Sequence, residues 1–249
     1  MSVDRVAIVT GAGAGIGRAT AELFLQRGYG VIAADISRDA LAWTDDAGKA
    51  HAVITDVSDE SSNVEMVEAA VSAFGRVDAC VLNAGIARRA VWEDDDAMEI
   101  FDRVMAVNTR GVVLGIRTAA PVIERSGGGA IVVIGSTSGV RADPLRWAYN
   151  ASKAAAINVA RAAALDWATR GVRVNVLAPG PTSTPILAPE RAAEYARNIP
   201  LQRLGRPEEQ AEAICFLASD AASFITGAVL MCDGGITANV GIFPPAQAI

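Results

Sequence analysis

The fold is decided between Val6 and Asp35, V-A-I-V-T-G-A-G-A-G-I-G-R-A-T-A-E-L-F-L-Q-R-G-Y-G-V-I-A-A-D. Val6 to Thr10 is a short apolar run of the kind that forms a buried strand. It enters the glycine turn Gly11 to Gly17, and a helix follows with Ala19, Leu23 and Phe24 on one face and Gly28 at its end. A second strand, Gly30 to Ala34, stops at Asp35. Strand, glycine turn and helix together aim backbone N–H groups and a helix N-terminus at one point, which suits a phosphate. Glycine is required there because a side chain would block a pyrophosphate. The spacing is T-G-x-x-x-G-x-G rather than G-x-G-x-x-G. A carboxylate at the tip of the second strand, Asp35, suits both hydroxyls of an adenosine ribose and repels a 2′-phosphate. No Arg or Lys stands at Ala14 or Ile36 to hold that phosphate, so NAD is favoured over NADP.

Outward from this unit, strand and helix keep alternating. His51 to Thr55 reads as a third strand ending in Asp56-Val57, and a helix is expected over 59–74. The strand Ala79 to Leu82 ends in Asn83-Ala84-Gly85. The acidic run Glu93 to Asp96 is expected to open the next helix, where acids complement the helix dipole. Asn108 is a polar residue inside an otherwise apolar helix, a costly placement unless bonded or functional. Ala130 to Ile134 and Val172 to Leu177 read as strands, the second running into Pro179-Gly180-Pro181-Thr182-Ser183-Thr184-Pro185. That loop leads to a segment expected to be short and mobile around Glu190 to Asn198. A helix from Pro207 to Ala218 and a last strand, Ala228 to Cys232, complete the pattern. No linker or repeat interrupts it. The alternation predicts an α/β Rossmann-type doubly wound parallel sheet of about seven strands, helices on both faces, in one domain over 1–249.

Bulk properties exclude several function classes. Hydrophobic residues make up 51% and charged residues 20% of the 249, a globular balance. A net charge of −6 argues against a nucleic-acid partner. No apolar run approaches the ~18 residues of a membrane span, and the start has too short an apolar run for a signal peptide. Cys80, Cys215 and Cys232 form no C-x-x-C pair and read as core residues in a reducing cytoplasm. The single histidine, His51, leaves no basis for most metal sites or a Ser-His-Asp hydrolase.

The chemistry is carried by I-G-S-T-S-G-V-R-A-D-P-L-R-W-A-Y-N-A-S-K, Ile134 to Lys153. Tyr149 and Lys153, at i and i+4, share a helix face. A phenol titrates near pH 10, too high for acid–base work at neutral pH, and an ammonium beside it is expected to pull it down. A hydroxyl on the strand-end loop, Ser136, could hold a carbonyl oxygen against the phenol. Such a set moves a proton on or off an oxygen while a hydride moves elsewhere. Tyr and Lys at this spacing are more often a ring beside a solvated amine; the nucleotide turn at Gly11 to Gly17 is what favours the chemical reading.

Together these motifs resemble the short-chain dehydrogenase/reductase family, in its branch of about 250 residues, over essentially the whole chain. They are T-G-A-G-A-G-I-G at Thr10 to Gly17, D-V at Asp56-Val57, N-A-G at Asn83 to Gly85, V-N at Val107-Asn108, Ser136, Y-N-A-S-K at Tyr149 to Lys153, and P-G at Pro179-Gly180. T-G and D-G-G follow near the C-terminus. The resemblance implies Tyr149 as general acid/base, Lys153 lowering its pKa and bonding the nicotinamide ribose, and Ser136 orienting the substrate oxygen. It implies Asn108 holding a water in a proton relay to Lys153. Gly11, Gly15, Ile16, Gly17, Asp35, Asp56, Val57, Asn83, Ala84 and Gly85 are the expected contacts of the adenosine and pyrophosphate half. Tyr149, Lys153, Pro179, Gly180, Thr182 and Thr184 are those of the nicotinamide half. Leu82 and Gly135 depart from the family's usual Asn and Ser, and Pro181-Thr182 replaces larger apolar residues.

The expected activity is an NAD-dependent interconversion of a secondary alcohol and a ketone. The alternatives are an NADPH-dependent oxoacyl reductase and a non-catalytic dinucleotide sensor. Substrate contacts are expected from Ser138, Arg141, Trp147 and Ile186, within a wider lining that includes Ile86, Arg88, Arg89, Trp92, Val140, Arg146, Leu187 and Tyr195. Trp147 suggests a partly apolar or cyclic substrate. The apolar tail Gly241 to Ile249 is expected to pack on a neighbouring subunit, as in the family's homotetramers.

Overall fold

A computed structural model describes residues 3–187 and 189–238 of the chain. The tail Gly241 to Ile249 therefore lies outside the described residues. Strands β1 (Val6–Thr10), β2 (Gly30–Asp35), β3 (Ala50–Ile54), β4 (Ala79–Leu82), β5 (Gly129–Ile134), β6 (Val172–Pro179) and β7 (Val229–Cys232) form one sheet. Its order is β3-β2-β1-β4-β5-β6-β7 and every pairing is parallel. The protein is thus a Rossmann-like α/β fold. The strands of its centre are apolar without alternation because helices cover both faces.

Two hydrophobic clusters show how the faces are covered. Helices α2 (Glu60–Phe74), α4 (Gly111–Arg125) and α5 (Trp147–Trp167) bury Met66, Val112, Ile116, Ile123 and Ile157 against one face. Helices α1 (Gly15–Gln26) and α7 (Pro207–Ala218) bury Ala21, Phe24, Ile214 and Leu217 against the other. The strand order reverses between β1 and β4, since β2 and β3 lie to one side and β5 to β7 to the other. A crevice opens at the carboxyl ends there, where ligands of such sheets bind.

The structure adds to local expectations in three places. Helix α3 (Ala97–Met105) begins after the acidic run, so Glu93 to Asp96 precede its first turn, where Glu99 is the acid present. The segment Glu190 to Asn198, expected to be short and mobile, carries helical structure: a 3-10 turn at Pro189–Arg191 leads into α6 (Ala192–Asn198). The polar Asn108 does not sit in an unbroken helix. A π turn, Ala106–Arg110, joins α3 to α4 and places it inside the fold.

Ile131, on β5, is fully buried in the cluster below α4 and α5. Ile131→Ala is expected to lower the unfolding free energy by about 2–5 kcal/mol in urea titration, the usual cost of a truncated core side chain. A loss under 1 kcal/mol would show a core that collapses around the gap.

Candidate active site

The crevice is built from the glycine turn upward. Gly11 has φ +66°, and a Cβ on Gly17 would stand 2.1 Å from the Gly11 carbonyl oxygen. Both positions therefore need glycine for the turn to close against α1. Thr10 Oγ1 accepts the backbone N–H groups of Asn83 and Ala84, each at 3.0 Å. The Asn83 side-chain amide donates to the carbonyls of Thr10 at 2.9 Å and Gly11 at 3.2 Å. The end of β4 is thus pinned to the turn after β1. Asp35 Oδ2 accepts the Gly13 N–H at 3.0 Å and Oδ1 that of Ser37 at 3.1 Å, which holds its carboxylate over the turn.

Three adjoining cavities follow the crevice. The outer one, about 520 Å³, is lined by Gly11, Asp35, Asp56, Val57, Ala84 and Gly85, with Ile36, Thr55, Ser58 and Arg103 besides. A second, about 200 Å³, is lined by Gly11, Gly15, Ile16, Asp35, Asn83, Ala84, Gly85 and Thr184. The third, about 150 Å³, holds Ile16, Asn83, Gly85, Tyr149, Lys153, Pro179, Gly180, Thr182 and Thr184. Every residue expected to hold the cofactor lines one of them except Gly17, which lets the turn pack. A glycine cradle that any Cβ would fill, running from an acidic strand tip to a Tyr–Lys pair, fits a nicotinamide dinucleotide.

At the inner end, Ser136, Tyr149 and Lys153 line the same cavity. Ser136 closes the loop after β5, its Oγ accepting the Ser138 N–H at 3.1 Å. Lys153 Nζ is buried and donates to the Ile134 carbonyl at 2.8 Å. Asn108 is fully buried behind it. Its Oδ1 accepts the Ile86 N–H at 2.8 Å, and its Nδ2 donates to the Ile86 carbonyl at 2.9 Å and to Ser152 Oγ at 3.0 Å. Both side-chain donors of Asn108 are therefore taken by the protein, and its side chain braces the strand-end loop against α5.

The electrostatics differ from the expectation of a phenol drawn down by its lysine. Burial raises the Tyr149 pKa above its ordinary value, and hydrogen bonding with Ser136 and the charge of Arg146 only partly oppose it. Burial also pushes Lys153 down to about 8. Its Nζ lies 5.8 Å from the Tyr149 ring centroid and is turned to a carbonyl. Lys153 is not among the groups that draw the phenol down.

On the substrate side, Ser138 and Ile186 line the inner cavity as expected, with Ile86, Leu187 and Tyr195 from the wider set. Arg141 and Trp147 do not. Arg141 is exposed and donates to the Thr237 carbonyl, because the loop carries it outward. Trp147 stacks between Trp92, at 4.4 Å, and Phe101, at 5.6 Å, in a separate small cluster with α3. Arg88, Arg89, Trp92 and Val140 also stay off the lining. In their place stand Arg146 and a residue not foreseen, Asp143, whose Oδ2 accepts the Ser138 hydroxyl at 2.6 Å. The spacing of Arg146, three residues before Tyr149, was the available signal that the two share a side.

The buried amine carries a pH test. Lys153 titrates at about 8 in the folded chain against an ordinary 10.5, so its charge costs stability below pH 8. Between those values the folded chain has released a proton that the unfolded chain still holds, and the cost is relieved as the pH rises. Wild-type unfolding free energy minus that of Lys153→Met is expected to rise by about 3 kcal/mol from pH 7 to 10.5. A flat difference would mean that the amine is hydrated.

Comparison with known proteins agrees with this geometry. Residues 11–237 match the family model described as enoyl-(acyl carrier protein) reductase. The chain is 42% identical to cis-4-hydroxycyclohexanecarboxylate dehydrogenase of Sinomonas cyclohexanicum, over 94% of this chain and 97% of that one. It is 40% identical to the 3-oxoacyl-(acyl-carrier-protein) reductase of Thermotoga maritima, over 93% and 97%. The crystal structure of 3-ketoacyl-(acyl-carrier-protein) reductase from Brucella melitensis complexed with NADH superposes with a TM-score of 0.88 at 37% identity, covering 94% of this chain and 99% of that one. With its parallel sheet, its glycine cradle and its Ser–Tyr–Lys cluster, the chain belongs to the short-chain dehydrogenase/reductase family of oxidoreductases.

Proposed function

We propose that the protein is an NAD-dependent dehydrogenase that interconverts a compact secondary alcohol and its ketone. The observation that carries this reading is the convergence of Tyr149, Ser136 and Lys153 on one cavity at the end of a dinucleotide-shaped crevice. When bound, the nicotinamide supplies or accepts the hydride. The chain's own residues handle the oxygen and its proton. Ser136 donates a hydrogen bond to the substrate oxygen and holds it against the Tyr149 phenol. Tyr149 takes the hydroxyl proton in oxidation and returns it in reduction. Lys153 would hold the ribose edge, and Asn108 fixes the loop on which that alignment depends.

The cofactor choice rests on Asp35, whose carboxylate is held where a ribose 2′-substituent would approach. The inner cavity is shared between the expected nicotinamide contacts and the substrate side. Ile86, Ile186 and Leu187 make it partly apolar. The Sinomonas relative, a dehydrogenase named for a cyclohexane carboxylate, supports an alicyclic alcohol. The Thermotoga relative favours a second reading, NADPH-dependent reduction of an oxoacyl group, and Asp35 opposes it. We place the enzyme in a reducing cytoplasm: Cys80, Cys215 and Cys232 are free, and burial pushes the first two thiols up to about 12. We further propose one domain and a homotetramer, for which exposed Leu165 and Phe224 offer apolar contact surface.

The test is NADH formation at 340 nm with alicyclic and acyclic secondary alcohols. Tyr149→Phe is expected to lower kcat/KM by about 10²–10⁴-fold, the range of a lost general acid/base, while NADH still binds. Asp35→Ser is expected to narrow the NAD-over-NADP preference by about tenfold or more. A Tyr149→Phe enzyme of near wild-type rate would overturn the mechanism.

A further inference from the structure

Two cations line the inner cavity, Lys153 and Arg146, and among the described residues only Lys153 has a protein acceptor. Among the described residues Arg146 forms no salt bridge, although ten other ion pairs occupy arginines of this chain. Its backbone is held on both sides. Arg146 bridges Ala90 in parallel, the Ala90 N–H donates to the Leu145 carbonyl at 3.0 Å, and the Arg146 carbonyl accepts the Asn150 N–H at 2.8 Å. Leu145, immediately before it, has φ +60°, a left-handed conformation that an L side chain rarely adopts. Strain of this kind persists where the surroundings over-determine a residue, and here it falls immediately before Arg146.

We propose that Arg146 is the recognition site for a carboxylate carried by the alcohol substrate, so that the enzyme acts on a small hydroxy acid. This rests on the alcohol-dehydrogenase reading of the site. An unpaired guanidinium on a backbone that is held in place, sharing a lining with Ile86, Ile186 and Leu187, offers two parallel N–H donors to a carboxylate. Arg146 lies one helical turn before Tyr149, so the carboxylate and the reacting hydroxyl sit at opposite ends of one small molecule. The other charge on this lining, Asp143, is exposed and already accepts the Ser138 hydroxyl. It forms no ion pair with Arg146. Arg146 already acts on the reacting end, since its charge pulls the Tyr149 phenol downward.

The experiment compares 4-hydroxycyclohexanecarboxylate with its carboxamide and with cyclohexanol, in wild type, Arg146→Gln and Arg146→Lys. The wild type is expected to prefer the carboxylate over the carboxamide about tenfold or more in kcat/KM, chiefly through KM. Arg146→Gln is expected to reduce that ratio by about 10- to 100-fold, the worth of a charge-assisted hydrogen-bonded pair. Arg146→Lys should restore part of it, a point charge replacing a fork. An unchanged ratio in Arg146→Gln, or a wild type indifferent to the charge, would overturn the proposal. A second arm needs no turnover: calorimetric binding of cyclohexanecarboxylate to the protein–NADH complex. A Kd at least tenfold weaker in Arg146→Gln supports the site, and equal Kd values overturn it. A wild type that binds the acid through Arg146 but oxidises no alcohol would instead remove the reading of the reaction.

Discussion

The Thr10–Asn83 clasp is the constraint on which the site depends. One threonine hydroxyl and one asparagine amide tie the end of β4 to the glycine turn after β1, across the point where the strand order reverses. Without it the two central strands could splay, and the cradle and the reacting end would lose their common floor. The clasp also explains the crowding by glycine, because two backbones drawn this close leave no volume for a Cβ. Gly85 extends the same economy inward: a Cβ there would meet Asn108 Oδ1 at 3.2 Å and Lys153 Nζ at 3.4 Å.

At the inner end the balance is between desolvation and charge. Burial acts against both ionised forms, raising the phenol above its ordinary value and lowering the amine to about 8, so the pair are drawn apart in proton affinity. The cluster is therefore prepared less by a fixed ion pair than by a shared shortage of water. Ser136 and Arg146 supply the downward pull on the phenol that Lys153, turned to the Ile134 carbonyl, does not.

Much of this was legible in the amino-acid order. The strands and the cradle announce themselves through apolar runs that end in glycine, and Tyr149 and Lys153 through helical spacing. These signals are local, so they survive without coordinates. The direction of the Tyr149 shift was not legible, because it depends on how much water three separate loops exclude. Nor was the choice between Arg141 and Arg146, which turns on the path of the loop through Pro144. Trp147 looked like a substrate platform until Trp92 and Phe101, distant in sequence, were seen to sandwich it. The helical state of 192–198 was hidden by the Pro-rich loop ahead of it.

The π turn at Ala106–Arg110 has a consequence for how the two ends of the protein can diverge. One additional residue in a helix rotates everything beyond it by about 100° about the axis. The stripe of α3 that carries Phe101 and Val104 thus faces the aromatic cluster at the start of α5, while that of α4, with Val112 and Ile116, faces the sheet. A single rod is divided into two independent rotational registers, with Asn108 at the junction. Substitutions on the first register bear on the aromatic cluster, and those at Val112 and Ile116 on the second bear on the core. The turn acts as a clutch between the two.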